Sequence, residues 1–258
     1  MAELSNISAV RDQYASSGNL QTRISIHEKY SVNKQGFSNW IAEHLRIPAG
    51  ASVLELGCGT GSFWLGRDSL IRSCSRLVLS DFSAGMLETA KQALESCPSI
   101  EYRVVDIQDI PFADASFDAV IANMMLYHVP DLHKGLAEVR RVLKPGGTFF
   151  SATYGEHGIM EYICSLFGVN PSGGINHSFT LQNGAAPLRD HFSEVRRFDY
   201  PDSLAVTDVR DMADYISSLS GLTALREIPR EEIVSVLQSH MVGGVLSVPK
   251  EYGIFISR

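Results

Sequence analysis

The stretch Glu55-Leu56-Gly57-Cys58-Gly59-Thr60-Gly61 carries the clearest chemical content in the chain. An apolar run, Ala51–Leu56, leads into three glycines at alternate positions. Glycine lets a backbone turn sharply and lets a ligand approach it closely. Free amides at the start of a following helix can then face negative or polar ligand groups. A dinucleotide fingerprint requires Gly-x-Gly-x-x-Gly, but position 62 is Ser62. No Gly-x-x-x-x-Gly-Lys-Ser/Thr occurs, which argues against a triphosphate cradle. A carboxylate at Glu55 would repel a pyrophosphate and suit a cationic ligand. Cys58 reads as a small residue tolerated in the turn rather than as a nucleophile.

Two further acids close apolar runs. Asp81 follows Arg76–Ser80 and Asp106 follows Tyr102–Val105. An open parallel sheet binds ligands at the carboxyl ends of its strands. A carboxylate there can accept both hydroxyls of a diol. The alternative for Asp81 is an acid favoured by a helix N-terminus, and for Asp106 a solvated loop acid. Asn123 to His128 follows a fourth run, and Tyr154 and His157 follow a fifth. His128, Tyr154 and His157 are the candidates for acting on an acceptor. His128 reads either as a base or as a histidine packed behind the site, and His157 as a base or an exposed loop residue. Tyr14 and Tyr30, with His27 nearby, read as ligand contacts or as packing.

Five strands must position these residues: Ala51–Leu56, Arg76–Ser80, Tyr102–Val105, Phe117–Ala122 and Thr148–Tyr154. Between them the spacing predicts a helix capped by Ser83, with Met86, Leu87, Ala90 and Leu94 on one side. A second helix carries Leu132, Leu136, Val139 and Leu143, with Asp131 as N-cap. Lys144-Pro145-Gly146-Gly147 should end it. The β-α-β-α order implies a parallel sheet with helices on both faces. Upstream, 36–46 and about 20–31 read as helices. Downstream, helices are expected near 182–191, 208–219 and 230–240, strands near 194–200 and 250–257, and a loop at Asn170–Asn176. The expected whole is an α/β, Rossmann-like, seven-stranded, mostly parallel sheet. N-terminal helices precede it, and a helical lid lies between Pro201 and Pro249, before the last strand. The chain reads as a single domain, 1–258: a helical cap over 1–50, a core over 51–154 and acceptor-side insertions over 155–258.

The chain has 258 residues, of which 45% are hydrophobic and 20% charged, an ordinary globular composition that excludes disorder. Its 22 Lys and Arg against 29 Asp and Glu give a net charge of −7, which disfavours nucleic acid as a partner. Cysteines 58, 74, 97 and 164 show no Cys-x-x-Cys, and no His-Glu-x-x-His occurs. No metal is expected, and the thiols should be unpaired in a reducing cytosol. The N-terminus is polar, and no apolar run approaches the roughly 18 residues of a membrane span. A soluble cytoplasmic protein without membrane contact is expected.

Taken together, these motifs resemble class I S-adenosylmethionine-dependent methyltransferases of the small-molecule, type 11-like group. Glu55 to Gly61 matches that family's first motif, Glu/Asp-x-Gly-x-Gly-x-Gly. Asp81 and Asp106 match its acids after strands two and three, and Leu143-Lys144-Pro145-Gly146-Gly147 its turn before strand five. The match is close over about residues 50–155. It implies S-adenosylmethionine as cofactor, S-adenosylhomocysteine as product and methyl transfer to a small-molecule acceptor by positioning. In this reading Glu55, Gly57, Cys58, Gly59 and Gly61 form the cofactor turn. Asp81 binds the ribose and Asp106 lies near the adenine amine, with Phe82, Met86 and Ile107 as walls. Tyr30, Asn123, Met124 and His128 complete the cofactor set. Met124-Met125-Leu126 after Asn123 departs from the Asn-Pro-Pro-Tyr pattern, which counts against amino-directed nucleic-acid and protein methylation. RNA or protein methylation and a non-catalytic cofactor-binding module remain the alternatives.

Overall fold

The computed structural model describes residues 17–170, 176–219 and 223–258. Strand β1, Ser52–Leu56, is buried at all five positions. A strand covered on both faces reads as a continuous apolar run, and Val53-Leu54 with Leu56 supplies it. The others are β2 Arg76–Asp81, β3 Ile100–Val104, β4 Phe117–Asn123, β5 Leu143–Tyr154, β6 Val195–Val206 and β7 Leu246–Ser257. They form one seven-stranded sheet in the order β3-β2-β1-β4-β5-β7-β6. Pairs among β1 to β5 are parallel, and β7 runs antiparallel to both β5 and β6. The expected mostly parallel, Rossmann-like sheet is what forms. The chain runs outward from β1 to β3, then returns to place β4 beside β1. That reversal opens a crevice at the carboxyl ends of the strands.

Alternate residues of each strand feed opposite layers. Val53, Leu79, Ile121 and Phe150 pack with Trp40 and Ile41 of α2 (Phe37–His44) and with Leu87 of α4 (Ala84–Ala93), which follows α3 (Asp68–Ser73). Leu54, Val78, Val120 and Phe149 pack on the other face with Leu136 and Val139 of α5 (Leu132–Val142). The caps form as their residue types require. The Ser83 hydroxyl accepts from the Met86 amide at 3.4 Å, and the Asp131 carboxylate from the Lys134 amide at 3.0 Å.

A third apolar layer lies past the carboxyl end of β5. Strand β5 pairs with β7 only over Phe149–Tyr154, but β6 and β7 pair on through Val206 and Leu246. The protruding hairpin carries Leu204, Leu246 and Val248, which pack against α1 (Ser17–Tyr30) through Ile26 and α6 (Ile159–Leu166) through Ile163. The helices between β6 and β7, α8 (Val209–Ser218), α9 (Thr223–Arg226) and α10 (Arg230–Ser239), close this layer. The short α7 (Ala185–Arg189) precedes β6. A buried ion pair clips the segment after α1 to the hairpin: Lys250 Nζ lies 2.5 Å from Asp202, with side chains 3% and 0% exposed. Ser31 joins it, donating to Asp202 at 2.9 Å and accepting from Lys250 at 3.0 Å.

Several elements differ from expectation. Strands β6 and β7 extend past Pro201 and Pro249, because the hairpin tolerates a proline opposite Glu251 and another opposite Ser203. Lys144–Gly147 does not separate helix from strand. Leu143 already pairs with Phe117, and the register then shifts so that Thr148 faces Ala119, making the glycines an in-strand bulge. Helices α3 and α6 were not anticipated from the spacing. Residues 171–175 of the expected loop lie outside the described residues.

Candidate functional site

The turn after β1 is braced by β2. Cys58 donates its amide to the Ser80 carbonyl at 2.8 Å, and Gly59 donates its amide to Asp81 Oδ2 at 2.9 Å. The other Asp81 oxygen accepts from the Ser83 amide at 2.8 Å. A carboxylate offers about four acceptor directions, so Asp81 keeps acceptor capacity beyond these two bonds. Burial raises its pKa, and the two amides oppose that rise. Gly57 has φ +68, and a Cβ there would lie 2.9 Å from Met125. Gly61 has φ +73, and a Cβ there would lie 3.0 Å from Leu94. Both positions demand glycine twice over, by conformation and by close packing.

These elements frame a cavity of about 540 Å³ at the strand ends. Of the residues singled out in the sequence, it brings together Gly57, Gly59, Asp81, Phe82, Met86, Asp106, Ile107, Met124 and His128. Asp106 Oδ1 accepts from the Gln108 amide at 2.8 Å, and Gln108 in turn holds the Asp131 amide at 3.1 Å. His128 sits in the short turn after β4, its ring 4.5 Å from that of Tyr127. Among the described residues, the cavity's charged lining residues are Asp81 and Asp106, and no Lys or Arg lines it. Such a lining disfavours phosphates and suits a ligand with hydroxyl donors, an apolar ring and positive charge. An adenosyl sulfonium compound has these features.

Tyr30, Glu55, Cys58, Gly61 and Asn123 do not line this cavity. Glu55 is 1% exposed behind its wall. Its carboxylate accepts from Trp64 Nε1 at 2.6 Å and from Asn123 Nδ2 at 3.3 Å. Burial pushes Glu55 up to about 7, against those two hydrogen bonds. Burial also pushes the Cys58 thiol up, which leaves it a poor nucleophile. Tyr30 donates its hydroxyl to Asp211 at 2.6 Å, tying α1 to α8.

The other two acceptor-side candidates also stand outside the cavity. Tyr154 donates to the Asn176 carbonyl at 2.9 Å, and its ring lies 4.7 Å from that of Tyr127 at a tilt of 49°. His157 is exposed, 3.1 Å from Glu161, which raises its pKa. His27 packs edge-on to Tyr215 and Tyr252, and burial pushes it down to about 3. Tyr14 lies outside the described residues.

Sequence reasoning missed Leu56, Ser83, Gly85, Thr89, Val105, Gln108, Met125, Val129 and Pro130 as lining residues. Most adjoin a motif residue in the chain, and that adjacency was the available signal. Met124 has φ +55, an uncommon conformation for a side-chain-bearing residue. Held there, Met124, which the resemblance placed in the cofactor set, reaches the cavity together with Met125.

The comparisons with known proteins agree with this geometry. Residues 54–151 match a family described as a methyltransferase domain. Over 99 residues the chain is 42% identical to a demethylmenaquinone methyltransferase of Clavibacter sepedonicus, covering 38% of this chain and 39% of that protein. Over 103 residues it is 36% identical to the protein of that name in Staphylococcus epidermidis, covering 40% and 43%. The chain thus spans about two fifths of the length of these curated relatives. The YcgJ protein of Bacillus subtilis has the same fold, with a TM-score of 0.61 at 18% identity over 85% of this chain and 96% of that one. The strand-end acids, the glycine turn and most of the cavity lining thus lie in residues 54–151, the segment that matches a methyltransferase domain, within a chain that has the fold of the YcgJ protein.

Proposed function

We propose that the chain is a cytoplasmic enzyme that transfers a methyl group from S-adenosylmethionine to a small-molecule acceptor. One observation carries this: Asp81 and Asp106 face a single cavity at the sheet's reversal point, and among the described residues no Lys or Arg lines it. When bound, the cofactor supplies an already activated methyl electrophile. Asp81 would hold the ribose hydroxyls with its remaining acceptor directions. Phe82, Met86 and Ile107 would wall the adenine, and Asp106 would lie at its edge. The chain's remaining task is to position the acceptor and exclude water.

The acceptor side falls to the third apolar layer. Its α1, α6, α8 and α10 pack on the hairpin that runs past β5 and act as the lid. With them the whole chain works as one domain. His128 is the candidate base among lining residues, needed only for an acceptor that is protonated at working pH. A small acceptor is supported by the names of the relatives, which act on demethylmenaquinone, and by the net charge of −7. Labelled S-adenosylmethionine incubated with metabolite extract and the protein should put label into a small-molecule fraction. Label found only in RNA or protein would overturn the acceptor class.

A further inference from the structure

Glu55 is a buried acid with no counter-ion among the described residues. Its two hydrogen-bond donors, the Trp64 indole N–H and the Asn123 amide, are both neutral. The titratable groups that face it are Asp81 from β2 and the Cys58 thiol from the turn, and neither is a cation. Among the described residues Glu55 forms no ion pair. A carboxylate so placed is costly to charge, and neutral donors offset only part of that cost.

Asn123 adds a second observation. With Nδ2 turned to Glu55, its Oδ1 is buried and has no partner among the described residues. Amide orientation follows from the hydrogen-bond network. A half-turn of the amide would present Oδ1 to a protonated Glu55, whose O–H could then donate to it across the same 3.3 Å. One residue thus serves both states of the carboxyl, as donor to the anion and acceptor from the acid. The next residues along the chain, Leu56 and Gly57, line the cavity. A cation lodged there becomes the counter-charge that Glu55 lacks.

We propose that Glu55, cut off from any cation among the described residues, rests as a protonated, cation-responsive carboxyl that Trp64 and Asn123 position, so that cofactor binding expels one proton from it. The inference rests on the cofactor reading of the cavity. The proton leaves the Glu55 O–H for bulk buffer; the carboxylate that remains keeps the Trp64 N–H bond and regains that of Asn123 as its amide turns back. Burial supports the picture by pushing Glu55 up to about 7.

The test is calorimetric titration of the full chain with S-adenosylmethionine, in buffers of different ionisation enthalpy. At about pH 6, proton release should approach one per site and fade above about pH 8. Below the midpoint, affinity should fall toward about tenfold per pH unit. Glu55→Gln should abolish the release. Trp64→Phe removes a donor that favours the anion, so it should move the midpoint to higher pH, with folding checked by thermal unfolding. Binding with no buffer-dependent enthalpy, release that persists in Glu55→Gln, or an unmoved midpoint in folded Trp64→Phe would overturn the inference while leaving the cofactor reading intact. No binding of either S-adenosylmethionine or S-adenosylhomocysteine at any pH would overturn the cofactor reading and the inference with it.

Discussion

Single side chains of the turn carry opposite demands, for closeness and for charge. At Gly57 a methyl group would meet Met125 at 2.9 Å in a backbone conformation that L residues avoid. Gly57→Ala should therefore lose detectable S-adenosylhomocysteine binding and lower the thermal midpoint, as calorimetry and circular dichroism would show. Glu55 should depress stability at neutral pH. Its carboxyl is raised from 4.5 to about 7 by burial, so the native state holds the proton more tightly than the unfolded chain does. Stability from this group is then largest below about pH 4.5 and declines as pH rises through about 7, by a few kcal/mol in all. Apo Glu55→Gln should consequently unfold at a higher temperature than wild type at about pH 8, with the gain shrinking toward about pH 4. At this scale the sequence showed Asp81 and Asp106 clearly, because acids after apolar runs have few other readings. Trp64 was illegible. Its bond to Glu55 depends on a short helical turn folding back over β1, and no spacing rule encodes that.

Elements were legible wherever local chemistry decides them. Ser83 and Asp131 cap their helices because their side-chain oxygens reach amides that the helix leaves unpaired. Asp131→Ala should cost about 1 kcal/mol in urea unfolding, with little change in cofactor affinity. The β6–β7 hairpin was read too short because Pro201 and Pro249 look like breaks, yet strand pairing carries on past both. What holds its far end is tertiary: Lys250, Asp202 and Ser31 meet from three distant stretches of chain. Removing one member leaves the other charge buried and unpaired. Lys250→Met should thus cost about 3–5 kcal/mol in urea unfolding, far more than an exposed pair such as Arg230–Asp214.

Across the whole molecule, legibility followed the sheet. Its inner parallel strands β1, β2 and β4 bury near-continuous runs, Asp81 closes β2, and Asp106 lies just past β3. The third layer was only partly legible, since its helices bury stripes against α1 and the hairpin, partners far away in sequence. The central claim is that the cavity between Gly57 and His128 holds S-adenosylmethionine and its product. The most direct measurement is calorimetric titration of wild type and Asp81→Ala with S-adenosylhomocysteine. Removing a carboxylate that can accept two hydroxyls should weaken binding by more than about tenfold, given 1.5–3 kcal/mol per charged hydrogen bond. Saturable one-to-one binding by wild type, sharply weakened in a folded Asp81→Ala, is the predicted result. Wild type that fails to bind, or Asp81→Ala that binds equally well, would contradict it.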